Sequence, residues 1–351
     1  MQSEVPDQAR LRFAEIVSQL EREARQRFGV DGVRLQLVGY EERPFSWLCR
    51  AAVRTRSESE SAAERHVFIK IFKPKDPGAG IDLQARVMRD FTMTCEIHTF
   101  MSQWKGLGAV RPIACYEEAL AIVTEQADGV TLLDALQRHA VWFPNRARVA
   151  ELAGWHEAVG RWLKRFQGFH PGGPRQSVDA LRDYVDTRLQ RLVGHDVITR
   201  AEREQILQHL GALGRLTSAA DLEEVAVHAD LAPANILVSP HGVVVLDFAM
   251  AGRGTALHDI SRLHMQLDLL RAKPQFRRAV MAPLQAALLR GFDPGLTPHH
   301  PLFRLLSMLH HVNHFGTLAL RREALPGRIV SRRAIGMHRR WIAAQLGAGA
   351  S

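Results

Sequence analysis

The stretch that decides the fold is HADLAPANILVSPHGVVVLDFAMAG, residues 228–252. Two apolar runs, NILV (235–238) and VVVLDF (243–248), flank the turn formers SPHG (239–242) and read as a short β-hairpin. Three polar side chains interrupt it. Asp230 precedes the first run, Asn235 enters it and Asp247 ends the second. A carboxylate or amide beside a dry core is costly without a partner, and a metal-bound phosphate chain would satisfy all three. The spacing H-x-D-x-x-x-x-N, followed by a strand that ends in D-F, supplies the groups that magnesium-assisted phosphoryl transfer needs. One carboxylate accepts or orients the proton of an attacking hydroxyl; an amide oxygen and a second carboxylate hold hard cations. Ordinary turn chemistry also favours Asp and Asn, but it does not call for the whole spaced set.

Upstream, residues 7–28 carry apolar positions at helical spacing and predict a leading helix. VRLQLVG (33–39) and WLCRAAVRT (47–55) predict two strands joined by YEERPFS, and SESESAAE (57–64) predicts a solvated connection. In HVFIKIF (66–72), Val67, Ile69 and Ile71 fall on one face while Lys70 shares the other with Phe68 and Phe72. The loop KPKDPGAG precedes a long helical stretch, 81–104; strands follow near VRPIACYEE and ALAIVTEQ. From DGVTLLDALQRH onward the pattern is helical to about residue 219, and helical again after the hairpin. The helix 146–169 carries Trp155, Trp162 and Phe166, which read as core packing.

This order of elements and the motif HADLAPAN with LDFA resemble the aminoglycoside phosphotransferase and choline kinase group of the protein-kinase-like superfamily, whose motifs take the form H-G-D-x-x-x-x-N and I-D-F or I-D-W. The resemblance implies an α+β bilobal protein-kinase-like fold with the nucleotide in the cleft. Residues 1–126 would form a small N-terminal lobe with an antiparallel sheet and one main helix, and 127–351 a mostly helical catalytic and acceptor-binding lobe. It implies Asp230 as catalytic base, Asn235 and Asp247 as metal ligands, and His228 as support for the catalytic loop. VFIK resembles the family's V-A-I-K strand and nominates Lys70 for the α/β-phosphates. A helical carboxylate should steady that lysine. Glu96, set beside Ile97, Phe100, Met101 and Trp104, is preferred to Asp90. LAIVTEQADGVTL resembles the family's strand into the hinge, which assigns adenine to the Glu125 carbonyl and the Ala127 amide. The implied cofactors are ATP (GTP remaining open) and Mg2+.

Two departures bear on the acceptor. The loop GYEERPFSW has Gly39 alone where protein kinases often place G-x-G-x-x-G, leaving a lid of backbone amides and Ser46. Asp259 opens a helix only twelve residues after Asp247, too soon for a protein-kinase activation segment, and reads as a helix cap or a brace for the catalytic loop. The expected reaction is therefore phosphoryl transfer to a hydroxyl of a small molecule: a sugar, amino-sugar or amino alcohol. A kinase of a lipopolysaccharide, glycan or lipid-linked sugar at the inner membrane surface, or a protein kinase, stands as the alternative.

Composition narrows the class. The chain has 351 residues and is 46% apolar, with a net charge of +9 carried mostly by Arg, so a bilobal unit or two domains is expected. Its basic residues are scattered, without the aromatic interleaving of a nucleic-acid surface, except in RREALPGRIVSRRAIGMHRR (321–340), which reads as a solvated helix face or an anionic-ligand or membrane-surface patch. No apolar run approaches the roughly 18 residues of a membrane span. The polar N-terminal residues do not resemble a secretory leader. Three cysteines without CxxC pairing (Cys49, Cys95, Cys115) predict reduced thiols, and a cytoplasmic location is expected. His310 and His314, at i, i+4, could line the acceptor pocket or simply pack; they lack the third ligand of a zinc site.

Overall fold

The leading amphipathic stretch forms α1 (Asp7–Arg22) and, after a non-helical residue at Glu23, α2 (Ala24–Phe28). The computed structural model describes residues 7–55, 65–73, 80–321 and 327–347. The expected connection 57–64, most of the loop 73–80 and part of the basic stretch 321–340 lie outside the described residues. Two compact units divide the chain. The first comprises 1–129 and 244–250, the second 130–243 and 251–351.

In the first unit, β1 (Val33–Arg43) and β2 (Ser46–Thr55) turn over at Pro44 and Phe45. β1 thus runs four residues beyond its predicted end, with a register shift between Leu37 and Gly39. The chain continues through β3 (Arg65–Phe72), α3 (Gly80–Met101), β4 (Leu107–Ala109), β5 (Pro112–Tyr116) and β6 (Ala121–Glu125). The sheet runs β1-β2-β3-β6-β5. Alternation works as predicted in β3. Val67, Ile69 and Ile71 pack with Ile16 and Leu20 of α1 in one core, which puts Lys70 on the other face. α3 buries Val87, Asp90, Thr94, Ile97 and Met101 in one stripe at helical spacing. Ser46, expected in a lid, opens β2 and is buried.

The second unit begins with β7 (Val130–Thr131) and α4 (Leu132–His139), which the Thr131 hydroxyl caps by accepting the Asp134 N–H at 3.0 Å. Next come α5 (Arg146–Phe166), α6 (Val178–Gly194), α7 (Arg200–Leu216), β8 (Glu224–Val227), β9 (Ile236–Ser239), β10 (Gly242–Val245) and β11 (Gly252–Thr255). β11 was not expected: its sequence, GRGT, carries no strand pattern, but it pairs antiparallel with β8, Gly252 opposite Val227. The rest is helical: α8 (His258–Leu269), α9 (Arg278–Phe292), α10 (Pro301–Leu320) and α11 (Gly327–Gly347). Trp162 and Phe166 are fully buried and stacked at 4.9 Å, the predicted core role. α5 and α9 meet backbone to backbone. A Cβ on Gly160 would lie 2.2 Å from the Leu288 carbonyl oxygen, and one on Gly291 would lie 2.0 Å from that of Glu157. Among the described residues no helix is long and apolar enough to cross a membrane. Cys49 is buried, and all three cysteines are free thiols.

Candidate active site

The first unit gathers two carboxylates and an aromatic ring around Lys70. Its Nζ lies 2.9 Å from Asp247 Oδ1 and 3.8 Å from Asp90 Oδ2, and 4.9 Å above the Phe72 ring. Lys70 sits mid-strand, opposite Leu48 of β2 and Ile122 of β6, so two neighbouring strands fix its stem. Lys73 is engaged elsewhere, donating to Glu42 Oε1 at 2.5 Å and the Arg43 carbonyl at 2.9 Å.

The helical carboxylate beside Lys70 is Asp90, not Glu96, which corrects the sequence expectation. The buried stripe of α3 runs 87, 90, 94, 97, 101; six residues past Asp90, Glu96 has rotated to the exposed face. Asp90 is buried, and loss of water pushes its pKa up to about 6, with Lys70 pulling the other way and Asp247 adding to the rise. Asp247 follows the end of β10 by two residues and holds φ at 64°, in the left-handed region that few non-glycine residues occupy. Val110 N–H donates to the Val245 carbonyl at 3.0 Å just before it.

Glu125 is the last residue of β6. Its N–H donates to the Arg111 carbonyl at 2.9 Å, and the next N–H, of Gln126, donates to the His66 carbonyl at 2.9 Å. Ala127 lies just past the sheet.

In the second unit, β8 delivers the chain into His228, Ala229 and Asp230, and one face of α8 holds this loop. The buried Asp259 carboxylate accepts the His228 N–H at 2.6 Å and the Ala229 N–H at 2.9 Å. One turn on, Arg262 donates to the Ala229 carbonyl at 2.7 Å and to Asp230 Oδ1 at 2.5 Å. Gln266, a further turn along, donates to the Leu231 carbonyl at 3.2 Å. Burial works to raise the Asp259 pKa, but the hydrogen bond and charge of His258 and the contacts with His228 outweigh it and hold the carboxyl below its ordinary value. Asp259 is therefore the brace its position suggested. Asp230 keeps about half its side chain exposed (51%).

Asn235 closes a 3-10 turn, Pro233–Asn235. Its side-chain nitrogen donates to the Asp230 carbonyl at 3.2 Å. Arg262 and Gln266 escaped sequence reasoning. Their spacing from Asp259, i+3 and i+7, is the only trace they leave. His310 and His314 do not share a target: His310 Nε2 lies 3.0 Å from the His258 carbonyl, and His314 Nδ1 lies 2.8 Å from His338 Nε2. Among the described residues no group of three His, Cys, Asp or Glu is arranged to hold a metal ion.

The model of the phosphotransferase enzyme family matches residues 101–302, more than half of the chain. The chain belongs to that family. No curated protein matches it. Among solved structures, it resembles a thermostable mutant of the aminoglycoside phosphotransferase APH(4)-Ia in ternary complex with AMP-PNP and hygromycin B. Identity is 16%, coverage is 95% of this chain and 99% of that one, and the TM-score is 0.54. It also resembles an ethanolamine kinase of Plasmodium vivax, at 12% identity over 96% of this chain and 90% of that one, with a TM-score of 0.53. At such identities the likeness establishes the kinase-like fold of this phosphotransferase and nothing finer. The family match begins at Met101, the last residue of α3, and the motif with Asp230, Asn235 and Asp247 falls inside it. Lys70 and Asp90 fall outside, and their association rests on the geometry above.

Proposed function

We propose that the chain is an ATP-dependent phosphotransferase that moves the γ-phosphoryl group to a hydroxyl of a small molecule. The observation that supports this most is the grip of Asp259, Arg262 and Gln266 on residues 228–231, which fixes Asp230 while leaving its carboxylate half exposed to an acceptor. In this reading Asp230 orients the acceptor hydroxyl and takes its proton. Lys70, held by Asp90, neutralises α/β-phosphate charge, and the Glu125 carbonyl and Ala127 amide receive the adenine.

Asp247 and Asn235 each carry a donor type that a magnesium ion takes. One carboxylate and one amide oxygen are ordinary donors for a cation that takes its remaining ligands from phosphates and water, so a three-acid cluster is not required. When bound, that ion offsets phosphate charge during transfer. Because phosphoryl transfer depends on positioning and charge stabilisation, these few side chains suffice for the chemistry.

The structural relatives include a complex with hygromycin B and an ethanolamine kinase. For this chain a polycationic acceptor is a poor electrostatic match. Residues 260–351 carry only Asp268, Asp293 and Glu323 as acids. A sugar, amino-sugar or amino alcohol of lower positive charge fits better. The test is transfer of label from γ-labelled ATP across a panel of sugars, amino alcohols, aminoglycosides and glycan precursors. Asp230→Asn should retain ATP binding and lose about 10²–10⁴-fold in turnover; full activity in that variant would remove Asp230 from its role.

A further inference from the structure

Charge and exposed aromatic surface meet on one face of the second unit. An isolated bridge pairs Val141 with Phe276, and Trp142 N–H donates to the Gln275 carbonyl at 2.8 Å, so the 141–143 segment lies beside the chain entering α9. Trp142 and Phe143 are 55% and 79% exposed. The Arg277 guanidinium covers the Phe143 ring at 4.0 Å. A few residues earlier, Arg271 lines a hollow of about 400 Å³ together with Arg332, Arg333 and Arg340 of α11. Lys273 and Arg278 lie in the same segment of sequence. The described chain on either side is free of acids: residues 269–292 and 327–347 contain no Asp or Glu, and Asp268 is paired with Arg271.

We infer that this face docks the protein on an anionic lipid bilayer. Basic side chains are drawn to the negative surface potential of such a membrane, and exposed aromatic rings settle at the headgroup level. Neither feature alone would hold a protein there; the pair supplies the two signals that stable peripheral binding takes. A single-stranded nucleic acid would use ring faces as stacking platforms. Here Arg277 already covers one face of Phe143, which closes that face to a stacked base. α8 connects this face to the catalytic loop. Its first turn carries Asp259 and Arg262, and its end leads into Arg271, a span of about 18 Å. Docking would therefore bring a membrane-borne hydroxyl acceptor near the same helix, although the docking inference does not depend on the phosphotransferase reading.

The full chain should co-sediment with phosphatidylcholine vesicles containing one-third phosphatidylglycerol and not with pure phosphatidylcholine. Binding should weaken sharply between about 0.1 and 0.5 M salt. Each basic residue at an anionic surface multiplies partition about fivefold, so the triple variant R332E/R333E/R340E should lose at least about 100-fold. The variant W142S/F143S should lose several-fold and abolish any blue shift of tryptophan emission on vesicles, with ATP binding unchanged in both. Equal binding to neutral and anionic vesicles, unchanged partition in both variants, or displacement from vesicles by single-stranded RNA at equal charge would each overturn the inference.

Discussion

Ala229 holds φ at 61° in the loop where the family motif carries glycine. A left-handed alanine costs roughly 1–2 kcal/mol, and glycine's greater freedom in the unfolded chain costs roughly 0.5–1 kcal/mol. The strain is the larger quantity, so Ala229→Gly should raise stability by about 0.5–1 kcal/mol in urea denaturation. The loop keeps alanine because its neighbours hold both ends of the residue, Asp259 at the N–H and Arg262 at the carbonyl. Asp90 poses the opposite trade. Its folded pKa near 6 stands above its unfolded value near 3.9, so its favourable contribution is present below about pH 4 and is lost as pH rises through 6. Asp90→Asn should stabilise the nucleotide-free protein at pH 7.5 by about 1–3 kcal/mol and raise KM for ATP several-fold, since Lys70 loses a partner. Denaturation curves and initial rates would show both effects. That Asp90 rather than Glu96 steadies Lys70 was within reach of the sequence: the stripe 87, 90, 94, 97, 101 passes through Asp90. The aromatic residues near Glu96 drew attention to the wrong face.

At the scale of the element, α8 is what makes the loop 228–231 a fixed object. Its one face meets four successive loop residues, with Asp259, Arg262 and Gln266 spaced at one-turn intervals. Removing the Asp259 carboxylate strands two backbone N–H groups. Asp259→Ala should therefore cost about 2–5 kcal/mol, measured by chemical denaturation. Arg262 makes a different contribution, because it touches Asp230 itself. Arg262→Met should lower kcat by about 10–100-fold while KM for ATP stays within about twofold, and Arg262→Lys should recover part of the loss. An equal fall in both variants, with a matching fall in melting temperature, would mark Arg262 as a strut and no more. The short interval between Asp247 and Asp259 made the brace legible in advance. Arg262 was not legible, because a loop thirty residues away leaves no periodic mark on the helix that holds it.

Across the molecule, the histidines set the acid limit. His156, His310, His311 and His338 are buried and His264 is partly buried, and loss of water lowers the pKa of each, to about 4 for His156 and His264 and about 3 for His338. The unfolded chain binds these protons near pH 6.5 and the fold does not, so their contribution is present above 6.5 and is lost as pH falls below it. Near pH 5.5 His156, His264 and His338 together remove roughly 3–4 kcal/mol per pH unit, more than Asp90 returns, and His310 and His311 act in the same direction. The protein should unfold cooperatively before pH 4.5, and circular dichroism against pH would show it. Strand alternation, the hairpin and the helical second half were legible because each follows a local period. The β8–β11 pair and the histidine contacts were not, because they join segments distant in sequence. The crossing of α5 and α9 belongs to the same class. There two helices have surrendered side chains altogether, and even a methyl group has nowhere to go. A saturation scan scored by survival would thus rank positions 160 and 291 alongside the residues proposed to handle phosphate, although they perform no chemistry. Intolerance to replacement in this enzyme maps crowding as faithfully as it maps catalysis.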